Sequence, residues 1–191
     1  MVSLAGSGLN ITEKRAIIEC TIDALSSIVE PRYFKTERGY QGAFYCSLRN
    51  QLQKKIKLPE EAILEMEYQK SSRHDMTQRP DIVFHIPASE NGIPVDKGNF
   101  AAYELKPNAS SAEAQTDFKN LDELFSRLNY ELGFFINIDS GRDFMNEYRG
   151  IFKNRIHGLA VKLSNENIII SHSFFKNERL KNEMLLKSIY R

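Results

Sequence analysis

The sequence predicts a mixed α/β fold, a single domain over residues 1–191 in which a central sheet is flanked by helices. Three observations predict it. Apolar residues recur at helical spacing over residues 12–29, 37–56 and 110–128. Strand-like runs over residues 62–68, 79–86 and 100–106 fill the gap between the second and third of these. Residues 132–138 contain the continuous apolar run GFFINI, the signature of a strand buried on both faces. Helices and strands interleaved in this way make a layered α/β architecture. A chain of 191 residues is long enough for one domain with a real core and short for two.

Each element has its own justification. Residues 1–9 read as a flexible leader. In the first helix Ile17, Ile18, Ile22, Leu25, Ile28 and Val29 make the apolar stripe, Asn10 or Thr12 supplies the cap, and Glu30-Pro31 ends it. In the second, Phe44, Leu48 and Leu52 face one way. Its tail carries Lys54, Lys55 and Lys57, where the helix dipole favours cations. The turn-rich stretch 87–98 connects two of the strands, and Pro107-Asn108 stops the third. Ser110 or Ser111 caps the next helix, whose stripe is Phe118, Leu121, Leu124, Phe125 and Leu128. Residues 142–152 are expected to be helical, and 159–163 and 168–172 to form a hairpin across Asn165-Glu166-Asn167. Residues 177–191 read as a charged amphipathic helix.

Composition excludes several function classes. Apolar residues at 41% and charged residues at 27% are those of an ordinary soluble domain. A formal charge of +1 is far from that of a protein that coats nucleic acid by bulk charge, so any such contact needs a local patch. No run of about 18 apolar residues predicts a membrane span. MVSLAGSGLN lacks the basic start and long apolar core of a secretory signal, so the cytoplasm is the expected compartment. Cys20 and Cys46 read as two buried free thiols. The histidines His74, His85, His157 and His172 lack zinc-ligand spacing, and Gly-x-Ser-x-Gly is absent.

The chemistry concentrates in residues 79–106. RPDIVFHIP and FAAYELKPN are strand-like, yet Asp81 opens the first, and Glu104 and Lys106 lie inside the second. Charge in a buried strand is costly unless it is paired, metal-bound or used. Strand alternation puts Glu104 and Lys106 on one side and Tyr103 and Leu105 on the other. A meander brings Asp81 near Glu104 if its register allows. Two carboxylates so placed make a hard oxygen site suited to Mg²⁺ or Mn²⁺. Such an ion polarises a phosphoryl oxygen and acidifies a bound water, and a nearby lysine orients that water or stabilises the growing negative charge. The combination suits phosphodiester hydrolysis. Blander readings exist for the same residues: a surface ion pair between Glu104 and Lys106 on an edge strand, and a turn cap at Asp81. His85 shares a face with Asp81 and reads as a core histidine.

Pro80-Asp81 followed, beyond residues 82–103, by Glu104-Leu105-Lys106 resembles the motif of the PD-(D/E)xK nuclease superfamily, which includes many restriction endonucleases. The order helix, three strands, helix, strand over about residues 37–138 resembles that superfamily's core. The resemblance implies a restriction-endonuclease-like core and a Mg²⁺- or Mn²⁺-dependent endonuclease, with DNA as the expected substrate and RNA as the rival. It implies Asp81 and Glu104 as metal ligands, the Leu105 carbonyl as a further ligand, and Lys106 as the catalytic lysine. A third acidic ligand is expected from Glu37, which opens ERGYQGAFYCSLRNQL, or from Glu67; Glu37 is equally explained as a first-turn acid favoured by the helix dipole. Gln115 is followed four residues later by Lys119 where some relatives carry Tyr. Lys54, Lys55, Lys57, Arg73 and His74 read as a solvated helix end and loop, or as a basic lip to the cleft. The alternative function is a catalytically silent nuclease-fold binding or assembly module in a defence or mobile-element system. A homodimer is the assembly that double-strand cleavage by a small one-site enzyme calls for, with residues 177–191 as one candidate interface.

Overall fold

The fold was described from a computed structural model, for residues 1–4, 8–66, 80–87, 94, 96–164 and 166–189. Helix α1 (Ile11–Ser26) starts at Asn10, whose side chain takes the Glu13 N–H while Glu13 takes the Asn10 N–H, a reciprocal capping box. Helix α2 (Glu37–Lys55) is capped by Thr36 and turns Tyr40, Gln41, Phe44, Leu48 and Leu52 inward. Its last turn runs into a short strand, β2 (Ile56–Lys57), which pairs in parallel with β1 (Val2–Ser3). Part of the expected leader is thus held in place, with Leu4 buried beside it.

The strands β3 (Ile63–Met66), β4 (Ile82–His85), β5 (Asn99–Pro107), β6 (Leu132–Ile138), β7 (Ile156–Ser164), β8 (Asn167–Lys176) and β9 (Arg179–Ser188) form one seven-stranded sheet in sequence order. The β5–β6 and β6–β7 pairs are parallel and the others antiparallel. Helix α3 (Ser111–Leu128) makes the crossover between β5 and β6. Alternation sends Tyr103, Leu105, Phe134, Ile136 and Leu159 into a core under α1 and α2, where Tyr103 and Phe134 stack at 4.8 Å. It sends Val83, Ala102, Phe135 and Ile156 into a second core under α3, with Phe118, Leu121 and Phe125. The predicted α/β class, a mixed central sheet flanked by helices, is the observed one. No described helix is long and apolar enough to cross a membrane.

Two expected helices are not helices. Over residues 142–152 the chain makes only a 3₁₀ turn, Met145–Glu147, entered through Phe144 at φ 56°. Asp143 ties the segment to β8 instead, accepting from Ser173 Oγ at 2.6 Å and from the Met145 N–H at 3.1 Å. Phe144, Met145 and Tyr148 are thereby buried against the α3 side of the sheet. Gly158 makes room for them: a Cβ there would stand 2.1 Å from Met145 Cγ. The expected terminal helix over 177–191 is strand β9. Asn177 and Glu178, at φ 51° and 61°, form the tight turn whose twist suits a hairpin. The return strand then pairs residue for residue with β8, from Lys176–Arg179 to Asn167–Ser188, satisfying backbone groups that a helix would have left open on β8.

Of the two cysteines, Cys20 is buried as expected, whereas Cys46 is exposed. It falls midway between Phe44 and Leu48 along α2, and so on the opposite face of the helix.

Candidate active site

β4 and β5 run antiparallel with Ile82 opposite Tyr103, so the next position outward sets Asp81 against Glu104. The convergence that the sequence could only condition on register therefore occurs. The Leu105 N–H donates to Asp81 Oδ2 at 2.7 Å, and Gln41 of α2 donates through Nε2 to the Asp81 carbonyl at 3.0 Å. These two bonds fix the strand end from both sides. Asp81 thus accepts from β5 rather than capping a turn. The edge-strand reading of Glu104 and Lys106 also fails, because β5 lies inside the sheet and Glu104 is only 3% exposed.

Glu37, in the first turn of α2, stands over the same strand end, its Oε1 3.9 Å from Lys106 Nζ. The rival Glu67 lies outside the described residues, as do Arg73 and His74. Lys55 is paired with Asp23 on α1. His85 Nε2 lies 3.3 Å from Glu65 Oε2 on β3, which fits the core reading. Gln115 is exposed and donates to Ser111 Oγ and Glu147 Oε2, both at 3.3 Å.

The residue that sequence reasoning missed is Asp117, in the second turn of α3. It is 3% exposed. Its signal was present: Asp117 sits three residues after buried Ala114 and four before Leu121, a carboxylate written into an apolar stripe. The β5–α3 junction aims it. The Asn108 N–H donates to the Ile138 carbonyl at 2.8 Å, and the Ala109 N–H to Asn137 Oδ1 at 2.9 Å. Ser110 and Glu113 then close a capping box that starts the helix at a fixed angle.

The electrostatics are those of a crowded acidic site around one cation. Burial raises the Glu104 carboxyl well above the usual range; Asp81 and Asp117 raise it further, Lys106 opposes them, and Glu37 adds to the rise. Burial likewise lifts Asp117 to about 7, with Lys106 pulling down and Asp81, Glu37 and Glu113 pushing up. Desolvation disfavours the Lys106 ammonium, yet Asp117, Asp81, Glu37 and Glu104 together outweigh it, and the lysine is held protonated.

Among the described residues, no three His, Cys, Asp or Glu side chains are already gathered into a chelating group. The donors themselves suit a hard divalent ion. Glu104 Oε1 and Asp117 Oδ2 are both buried without a hydrogen-bond partner. Orphaned carboxylate oxygens are rare in native interiors and call for a ligand. Their chemistry matches the all-oxygen preference of Mg²⁺ and Mn²⁺.

No family model and no curated protein matches the chain. Among solved structures, its fold is similar to that of NucC from P. aeruginosa ATCC27853 in the cAAA-bound form, with a TM-score of 0.52 and 13% identity over 95% of this chain and 85% of that one. NucC from E. coli MS115-1, also cAAA-bound, gives a TM-score of 0.49 and 13% identity over 95% of this chain and 86% of that one.

Proposed function

We propose that the protein is a metal-dependent nuclease that hydrolyses phosphodiester bonds, with DNA as its expected substrate. The observation that carries this reading is the meeting of Asp81, Glu104 and Lys106 at one strand end, with a buried Glu104 oxygen left without a hydrogen bond. The similarity of the fold to NucC, itself a nuclease of the PD-(D/E)xK-like class, supports it.

Asp81 and Glu104 would hold the Mg²⁺ or Mn²⁺, with Asp117 and Glu37 contributing directly or through water. Bound there, such an ion would supply Lewis acidity, which favours charge build-up on a phosphoryl group and the ionisation of water. The chain's own residues do the rest. Lys106 stays cationic among four carboxylates and presents a proton donor to the oxygen on which charge grows. The Asp81–Leu105 hydrogen bond keeps the two strand ends in register, so that the carboxylates and the lysine reach the phosphate together. Glu37 draws the Lys106 side chain toward α2.

The test is digestion of single- and double-stranded DNA and RNA with Mg²⁺, Mn²⁺ or EDTA, each with and without cAAA, the ligand carried by the NucC structures and a candidate effector here. Divalent-dependent cleavage of DNA is expected. Cleavage of RNA alone would move the substrate assignment. No cleavage, together with no Mn²⁺ binding at millimolar concentration by calorimetry, would instead favour the silent binding or assembly module.

A further inference from the structure

Strand β9 ends the sheet, and all ten of its residues are exposed. Among the described residues it carries the most concentrated exposed apolar group: Met184 at 73%, Leu186 at 67%, and Leu180 and Leu185 at 39% each. No strand among the described residues pairs with its outer edge. A long, two-sided, apolar edge strand is a template for another strand, and proteins either blunt such an edge or use it. We propose that β9 is a self-association strand: two copies of the chain pair antiparallel along it, about a two-fold axis through Leu185, to continue the sheet across the dimer.

Symmetry and charge select the register. A two-fold axis normal to the sheet keeps each face on its own side, so the axis must pass through a residue rather than between two. Centring on residue 181 or 183 sets Lys181 or Glu183 against itself, and centring on 184 sets Lys181 against the partner's Lys187. Like charges directly opposite are destabilising. Centring on 182 and on 185 both place Glu183 opposite a lysine.

Apolar matching decides between those two. Only the axis through Leu185 packs Leu185 on its own copy and Met184 on the partner's Leu186, so the most exposed apolar side chains cover one another. In that register Glu183 faces the partner's Lys187 on both sides of the axis. Lys187 is already steered to the correct face, because its Nζ reaches Ser26 Oγ of α1 at 3.3 Å. Lys187, which would otherwise help protect this edge, is thus matched by the one acidic residue of the strand, while Lys181 falls opposite the partner's Ile189. This interface goes beyond the nuclease reading and does not rest on it.

Sedimentation equilibrium of the full chain tests the proposal. The wild-type chain is expected to be dimeric at micromolar concentration. Glu183→Lys sets two like-charge pairs across the axis and is expected to weaken the dimer about tenfold or more. Circular dichroism of each variant checks that the fold is kept. Adding Lys187→Glu to Glu183→Lys reverses both pairs and should restore the dimer, whereas adding Lys181→Glu should not. A wild-type chain that is monomeric throughout would overturn the proposal. So would an oligomer indifferent to Glu183→Lys, or one rescued by Lys181→Glu in place of Lys187→Glu.

Discussion

Two regions of the sheet's α3 side bury carboxylates, and they treat them in opposite ways. At the β7–β9 end, Asp143 accepts from Ser173 Oγ, Ser171 Oγ and the Met145 N–H. Asn182 of β9 in turn donates to both serines, at 2.7 and 3.0 Å. That carboxylate is saturated, and it joins three segments of chain. At the β5 end, Glu104 and Asp117 are buried at least as deeply, yet each leaves an oxygen without a hydrogen bond. The first arrangement builds structure. The second holds unmet bonding capacity, which native interiors seldom keep without a catalytic role or an ordered water or ion to meet it.

Substitutions at the two ends should therefore separate activity from stability. The largest expected effect is at Asp81 and Glu104. Either one changed to Ala should reduce Mg²⁺-dependent cleavage to background. The Glu104→Ala melt should stay at or above that of the wild type, because a buried carboxyl with an unmet oxygen is removed, whereas Asp81→Ala strands the Leu105 N–H and should melt somewhat lower. Asp143→Ala should do the reverse: it should lose about 1–3 kcal/mol of folding stability in urea titration and keep its activity per folded molecule. Lys106→Ala should come next, lowering kcat about 10²–10³-fold with metal affinity retained. Full activity in that variant would remove the lysine from the reaction.

Asp117→Asn is expected to weaken Mn²⁺ binding about 10–100-fold, as removal of a supporting group does. Gln115→Ala, on the outer face of the same helix, should leave that affinity unchanged. The smallest effect concerns pH. The folded-state pKa of Asp117 is raised from 3.8 to about 7, so its protonated form favours the fold. That contribution is complete below about pH 4 and is lost as pH rises through about 7. In EDTA, the urea midpoint of the wild type should fall across this window. Asp117→Asn should flatten the slope, Asp143→Ala should keep it, and added Mg²⁺ should offset it.

The parts of the fold that were legible in the sequence are those in which local pattern and tertiary role agree. GFFINI is a buried central strand, and the stripe Phe118–Leu121–Leu124–Phe125–Leu128 is the buried face of α3. The candidate-site pair was readable because charge inside an apolar strand has few structural uses. Its register was not readable, since the pairing of Ile82 with Tyr103 depends on a long connection between β4 and β5. Residues 177–191 misled for a definite reason. Their Leu, Lys, Glu and Met favour helix on average, but the open edge of β8 and the turn at Asn177-Glu178 outweigh propensity that is worth only tenths of a kcal/mol per residue. Residues 142–152 misled because the anchoring of Asp143 comes from β8, far along the chain. Asp117 was harder to read, because a single carboxylate on an amphipathic helix is equally explained by a solvated margin of the apolar stripe, and only the packing of α3 on β5 and β6 buries it.

The junction between β5 and α3 has a consequence for how the chain can vary. Asn108 and Ala109 are pinned to the end of β6, and Ser110 starts the helix at once, so the rotational phase of α3 about its own axis is set within three residues. One residue inserted there would turn the helix by about 100°. Leu121 and Phe125 would leave the core together with the departure of Asp117 from Lys106. Packing and chemistry are geared to the same shaft, and this segment has a length that can neither grow nor shrink while the protein keeps both.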